Sequence, residues 1–317
     1  MFKINKPLNP MIKLRKNLER LSYTHISNLQ KICLEHDGTV LKLELDYKLG
    51  RAEGKSGALK AINEFMYYDD DTLVGYIGIC DFGGDQIEVN GMVHPEYRRK
   101  GIFKSLFSLV KDEWSKRKAE GMLLLSDRDS FAGQEFIKGI PGSAYNHTEY
   151  EMFIKNKPRQ ELNMSEVVLR KATNCDAREI ARQNAIYFGE EFKEEGMLIP
   201  EEEEKCGMII YLAEVRNNVI GKVHLDVSAS VGGIYGLGVL PECRGKGYGR
   251  GILTQAIQQL IKKNFKGIML QVNVKNENAL NLYRSCGFEV TSTMDYYELK
   301  KDGFYRAIFS SPSGMIL

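Results

Sequence analysis

Two short runs of this chain bring together residue types with chemical uses. The first is Arg244-Gly245-Lys246-Gly247-Tyr248-Gly249-Arg250, with glycine at alternate positions among basic residues. Such glycines let an anion approach the main chain with no Cβ in the way. The second is Asn276-x-x-Ala279-x-x-Leu282-Tyr283-x-x-x-Gly287-Phe288. Asn276 suits a helix N-cap, and Gly287 suits a left-handed helix stop. Tyr283 adds a phenol, whose unperturbed pKa of about 10 keeps it protonated at neutral pH.

The flanking elements must hold the first run in place. Ile234–Leu240 is apolar and β-branched and reads as a strand. Ile252, Leu253, Ala256, Ile257, Leu260 and Ile261 recur on one helix face. Strand, glycine-rich turn and helix together present unpaired N–H groups, and the positive end of the helix dipole, to a single anion. Neither familiar nucleotide motif fits. The glycine spacing departs from Gly-x-Gly-x-x-Gly, and no Gly-Lys-Ser/Thr closes a P-loop. Gly50-Arg-Ala-Glu-Gly54-Lys55-Ser56 is one residue short of a P-loop and reads as a solvated loop.

What fits is Arg244-x-x-Gly247-x-Gly249 behind a strand ending Val-Leu-Pro. It resembles the coenzyme A pyrophosphate loop of the GNAT superfamily, the general N-acetyltransferases. The resemblance implies an α/β (α+β) fold, a mixed and mostly antiparallel twisted sheet flanked by helices. It implies acetyl-CoA as cosubstrate, no metal, and acetyl transfer to a primary amine of a small molecule by direct attack in a ternary complex. Carried over by residue, Gly245, Lys246, Gly247, Tyr248 and Gly249 hold the pyrophosphate, with Arg244 and Arg250 beside it. The edge Leu237, Gly238 and Val239 pairs with the pantetheine arm, and the Val239 N–H polarises the thioester carbonyl. Asn276 faces the cofactor, and Tyr283 is the general acid for the departing thiolate.

The chain also repeats itself. Pro95-Glu-x-Arg98-x-Lys-Gly101 matches Pro241-Glu-x-Arg244-x-Lys-Gly247 at an offset of 146, and Tyr150-Glu151-Met152 matches Tyr297-Glu298-Leu299 at 147. Leu14-Arg-Lys likewise matches Leu169-Arg-Lys. The halves read as 1–158, a degenerate GNAT-like domain, and 159–317, the catalytic one, joined through a polar linker at Lys155–Asn163. Where the second half has Gly245 and Gly249, the first has Arg99 and Phe103. At the offset of 147, Phe136 stands opposite Tyr283 and Asp129 opposite Asn276.

The 317 residues suit two domains, and a net charge of +2 neither demands nor excludes nucleic acid. With no apolar leader, no membrane-length apolar run and six scattered cysteines, the expectation is a cytoplasmic protein with reduced thiols, a monomer or homodimer with no membrane or nucleic-acid partner. Helices are expected at Ser22–His36, at Ser130–Lys138 and at Asp176–Tyr187. Another follows Gly101, burying Ile102, Phe103, Leu106, Leu109, Val110 and Trp114. Asp69-Asp70-Asp71 reads as a solvated hairpin turn rather than a metal site. Glu190–Glu204 reads as a partly exposed helical segment beside the acceptor cleft.

The general base is open. Many family members carry a glutamate on the strand before the loop, where this chain has Ile234, Tyr235, Leu237 and Val239. Glu88 alternates away from Val89, Gly91 and Val93. His224 and Asp226 share one strand face, Glu190, Glu191 and Glu214 are further options, and a water chain is another route. Two alternatives stand beside the acetyltransferase. One is an aminoacyl-tRNA-dependent transferase built on paired GNAT-like folds, against which the intact loop and the neutral charge argue. The other is a CoA-sensing module, which has no need of Tyr283.

Overall fold

A computed structural model describes residues 7–53, 61–82, 84–154, 166–189, 192, 194 and 197–301. Ser56 with its short P-loop-like neighbours at 54–56, the linker 155–163, Glu190, Glu191 and the tail after 301 lie outside those residues. The chain forms two compact units, one of residues 1–149 and 292–317, the other of 150–291. Chain continuity between them runs through two strands, β6 (Ala144–Ile154) and β12 (Glu289–Lys300).

The first unit contains β1 (Pro10–Arg15), α1 (Arg20–Asp37), α2 (Leu45–Glu53), β2 (Glu64–Asp69), β3 (Thr72–Cys80), β4 (Gln86–Val93), α3 (Ile102–Ser115), β5 (Gly121–Asp127) and α4 (Phe131–Lys138). Its strands run in the order β1-β2-β3-β4-β5-β12. They are antiparallel except where β4 meets β5. On α3 the buried face is Ile102, Leu106, Phe107, Val110 and Trp114. Phe103 and Leu109, expected there from spacing, are only half-buried at its margin. Trp114 packs its ring in the core, and its Nε1 donates to Ala119 O at 2.9 Å.

The aspartate turn is less solvated than its sequence suggests. Asp69 is buried and accepts from the N–H groups of Leu8 and Asn9 at 2.7 and 3.0 Å. It ties the start of the chain to the β2–β3 hairpin.

The second unit contains β7 (Val168–Lys171), α5 (Ala177–Phe188), α6 (Pro200–Lys205), β8 (Met208–Val215), β9 (Asn218–Asp226), β10 (Gly232–Val239), α7 (Tyr248–Lys262), β11 (Ile268–Asn273) and α8 (Glu277–Ser285). Its strands run β11-β10-β9-β8-β7, with β10 and β11 parallel. The expected mixed, mostly antiparallel sheet flanked by helices is what forms. On α7, Ile252, Leu253, Ala256, Ile257 and Leu260 are fully buried against the sheet. Each large side chain in that stripe contributes about 1.5–3 kcal/mol of burial, which fixes α7, and with it the turn at its N-terminus. Within the acidic stretch before β8, only Pro200–Lys205 is helical among the described residues. No helix among them is long and apolar enough to cross a membrane.

Candidate active site

β10 pairs with β11 at three positions only, from Gly232 with Ile268 to Ile234 with Leu270. Beyond that point the strands part, although β10 continues to Val239 and β11 to Asn273. β4 and β5 of the first unit part in the same way after Val89 and Leu124, but the opposite edge of β10 carries a further feature. Its register with β9 shifts between Tyr235, opposite His224, and Gly238, opposite Lys222. Gly236, inside the shift, has φ +54°. The extra residue is a β-bulge, which bends the strand and sharpens its twist. The β11-facing edge of Leu237, Gly238 and Val239 has no strand partner. Tyr187 of α5 closes in from one side: a Cβ on Gly238 would lie 2.2 Å from its ring.

The glycine loop follows a single 3₁₀ turn, Pro241–Cys243. Arg244 Nε donates to Val239 O at 3.0 Å and Lys246 Nζ to Glu242 O at 3.3 Å, so both side chains brace the loop from within. Gly245 and Gly247 have φ of +75° and +80°, and a Cβ at either would meet nothing within 4 Å. Among the described residues no backbone carbonyl accepts from the N–H groups of Gly245 to Gly249. That is an open nest at a helix N-terminus, suited to a phosphate group. Gly249 brings three elements together: a Cβ there would lie 3.5 Å from Leu282 of α8 and 3.8 Å from Val239. Arg250 is turned to α8, where it donates to Ser285 Oγ at 2.7 Å. The Tyr248 hydroxyl donates to Glu166 Oε1 at 3.4 Å.

Asn276 caps α8 as expected, its Oδ1 accepting from Ala279 N at 3.2 Å. Tyr283 is buried, its ring edge-on to Phe288 at 6.2 Å. Its hydroxyl has no hydrogen-bond partner among the described residues, and burial pushes the phenol up to about 12. It therefore holds its proton throughout the neutral range.

The candidate bases fare differently. Glu214 accepts from Arg170 Nε at 2.7 Å, and Asp226 accepts from Ser228 N and Oγ at 2.8 and 2.6 Å. Glu88 lies in the first unit, 3.3 Å from Lys42 Nζ. His224 has a neighbour that its sequence did not suggest. Lys222 is fully buried, with its Nζ 3.1 Å from His224 Nε2 and donating to Gly236 O at 3.2 Å. Strand alternation puts the two side chains on one face. A lysine reads as solvated from sequence, so nothing in the pattern marked this one as buried.

The acetyltransferase (GNAT) family model matches residues 33–136 and 177–288. The chain belongs to that family. It is similar to mycothiol acetyltransferase of Stackebrandtia nassauensis, 25% identical over 326 residues that cover 90% of this chain and 98% of that one. The protein of the same name from Thermomonospora curvata is 26% identical over 82% of this chain and 88% of its own. Among solved structures, a GCN5-related N-acetyltransferase from Sphaerobacter thermophilus shares the fold with TM-score 0.70 and 17% identity, over 93% of this chain and 97% of that one. A tandem GNAT protein from the clavulanic acid biosynthesis pathway does so with TM-score 0.65 and 11% identity, over 92% and 98%. This chain is a tandem GNAT acetyltransferase.

The first GNAT repeat keeps the loop backbone and fills the space around it. Arg98 Nε donates to Val93 O at 3.0 Å, and Arg99 and Gly101 have φ of +63° and +81°. The rest of the Arg98 guanidinium is committed to Asp37, at 2.8 and 2.6 Å. Phe103, in the place of Gly249, stacks edge-on against Phe136 at 4.6 Å. The β3–β4 register runs from Gly75 with Val93 to Cys80 with Glu88 without a shift, so β4 has no counterpart of the β10 bulge. The helices correct one sequence pairing. Ser130 and Asn276 are the N-caps, and the inward positions are Gln134 and Ile137 against Leu280 and Tyr283. Ile137, not Phe136, stands opposite Tyr283, because α8 is one residue longer than α4 and the offset of 147 begins only after it. Ile137 also lacks a hydroxyl.

Proposed function

We propose that the second unit binds acetyl-CoA and transfers its acetyl group to a primary amine of a small molecule, by direct attack in a ternary complex. The observation that carries this reading is the coincidence, in one unit, of the split between β10 and β11, the open nest at Gly245–Gly249 and the unpartnered hydroxyl of Tyr283. Relatives named mycothiol acetyltransferase support a small-molecule acceptor.

In this reading the nest N–H groups hold the pyrophosphate, and the free edge at Leu237–Val239 pairs with the pantetheine amides. The Val239 N–H faces the thioester oxygen and stabilises the charge that develops there. Asn276 orients the cofactor from the end of α8. The amine attacks the carbonyl carbon and the C–S bond breaks. Tyr283 donates a hydrogen bond to the developing thiolate. The phenol is the weaker acid of the two, since an ordinary thiol titrates near 8.5, so the proton follows once the thiolate is dehydrated and more basic.

Incubating the full chain with acetyl-CoA and a panel of amino acids, amino sugars, aminoglycosides and peptides, and reading released thiol, tests this. Acceptor-dependent release that is lost in Gly247→Glu is expected. Acetyl transfer that persists in that variant would contradict the assignment.

A further inference from the structure

The acceptor nitrogen must lose a proton during acetyl transfer, and the strand before the loop carries no carboxylate to take it. The geometry points to the Lys222–His224 pair of β9: we propose that His224 accepts this proton and Lys222, behind it, stores it. The proposal rests on the reading that the second unit performs the transfer.

The pair lies against the β10 bulge, next to the stretch where β10 has parted from β11. On β10, Gly238 stands opposite Lys222 and Tyr235 opposite His224, so the bulge residues lie between them. A Cβ on Gly236 would come within 3.1 Å of Lys222 Nζ and 3.4 Å of the His224 ring, at a φ of +54° that favours glycine, so the pair packs closely on the bulge. Lys222 Nζ reaches the Gly236 carbonyl and His224 Nε2, and it lies over the Tyr187 ring at 5.6 Å from the centroid. The Tyr187 hydroxyl is turned from it, donating to Gln183 Oε1 at 2.9 Å. Among the described residues Lys222 forms no ion pair with a carboxylate.

A lysine wholly removed from water without a counter-ion favours its neutral form. Burial brings Lys222 down to about 7, and burial, then the neighbouring Lys222, holds His224 well below its ordinary value. The neutral amine donates to Gly236 O and offers its lone pair to the Nε2–H of His224. That fixes the imidazole tautomer with the lone pair on Nδ1. Nδ1 has no partner among the described residues, and His224, unlike Lys222, is only partly buried.

The step then balances. The acceptor nitrogen bonds to the acetyl carbon, and the C–S bond breaks with a proton from Tyr283. The nitrogen's proton passes to Nδ1 while the Nε2 proton passes to Lys222, leaving a neutral imidazole and an ammonium. Once product leaves, Lys222 returns its proton to water by the reverse path and the Tyr283 phenolate takes one back from water, so both groups and the net proton count are restored.

Three variants of the full chain test it, assayed with acetyl-CoA and the best acceptor from the amine panel. His224→Gln should lower kcat about 10²–10⁴-fold with acetyl-CoA affinity unchanged. The wild type should lose activity as pH falls through about 7. Lys222→Met should lower the plateau and shift that acid limb to lower pH, because His224 then titrates alone. Lys222→Arg, charged at every working pH, should be nearly inactive. A merely structural pair would not move the limb. Wild-type kcat and an unmoved limb in Lys222→Met and His224→Gln would overturn the proposal. Independently of turnover, ¹³C NMR of lysine-labelled protein should find one ammonium titrating near neutrality that vanishes in Lys222→Met. If every lysine titrates in the ordinary range near 10.4, the proposal fails even if acetyl-CoA binds. Absence of acetyl-CoA binding with that lysine present would instead count against the functional reading alone.

Discussion

In Val93–Phe103 and in Val239–Gly249 the arginine Nε donates to the preceding valine carbonyl at 3.0 Å, and the same two loop positions have positive φ. Arg99 holds its left-handed conformation without being glycine, at a cost of about 1 kcal/mol. The nest backbone is common to both repeats, because it is also the turn joining a strand to a buried helix. The differences lie around it. One repeat has a bulge in the strand before its loop, an open Gly249 and a free phenol; the other has an unshifted β3–β4 register, a Phe103–Phe136 pair and Ile137. On the proposed reading, the space beside the nest, rather than the nest itself, marks the coenzyme A site.

The largest expected effect comes from the phenol. Tyr283→Phe keeps the ring and removes the proton donor, so kcat should fall about 10²–10⁴-fold, with acetyl-CoA affinity unchanged by calorimetry. The reciprocal Ile137→Tyr should leave turnover as it was. If Tyr283→Phe retains wild-type turnover where chemistry limits the rate, the contrast between the repeats loses its chemical content.

A smaller effect is expected in the first repeat. Phe103→Ala removes half of a half-buried aromatic pair and should cost ~2 kcal/mol, less than the 3–5 kcal/mol of a fully buried phenylalanine. The melting temperature reports it. The variant should still gain no acetyl-CoA site, since β4 keeps its continuous pairing with β3. A second site appearing in Phe103→Ala would show that the side chain alone blocked it and that the bulge is dispensable.

Much of this contrast was legible in residue types. Glycines at 245, 247 and 249, arginine at 99 and phenylalanine at 103 state it directly, and apolar periodicity located α3 and α7. The bulge was not legible, because Gly236 sits in an apolar run that reads as plain strand and register shifts depend on the neighbouring strand. α2 was missed because Gly50 interrupts a short pattern. The start of β12 was not legible either, because Glu289-Val-Thr-Ser-Thr is polar. Lys222 was invisible for a different reason: its burial is set by the bulge and by Tyr187, residues distant in sequence.

The central claim is that one repeat of the two binds acetyl-CoA, and binding stoichiometry tests it most directly. Isothermal titration of acetyl-CoA into the full chain should give one site per chain. That site should be lost in Gly247→Glu, which sets a carboxylate and a strained positive φ at the nest, and kept in Gly101→Glu. Two sites per chain, or a single site abolished by Gly101→Glu and spared by Gly247→Glu, would contradict the account.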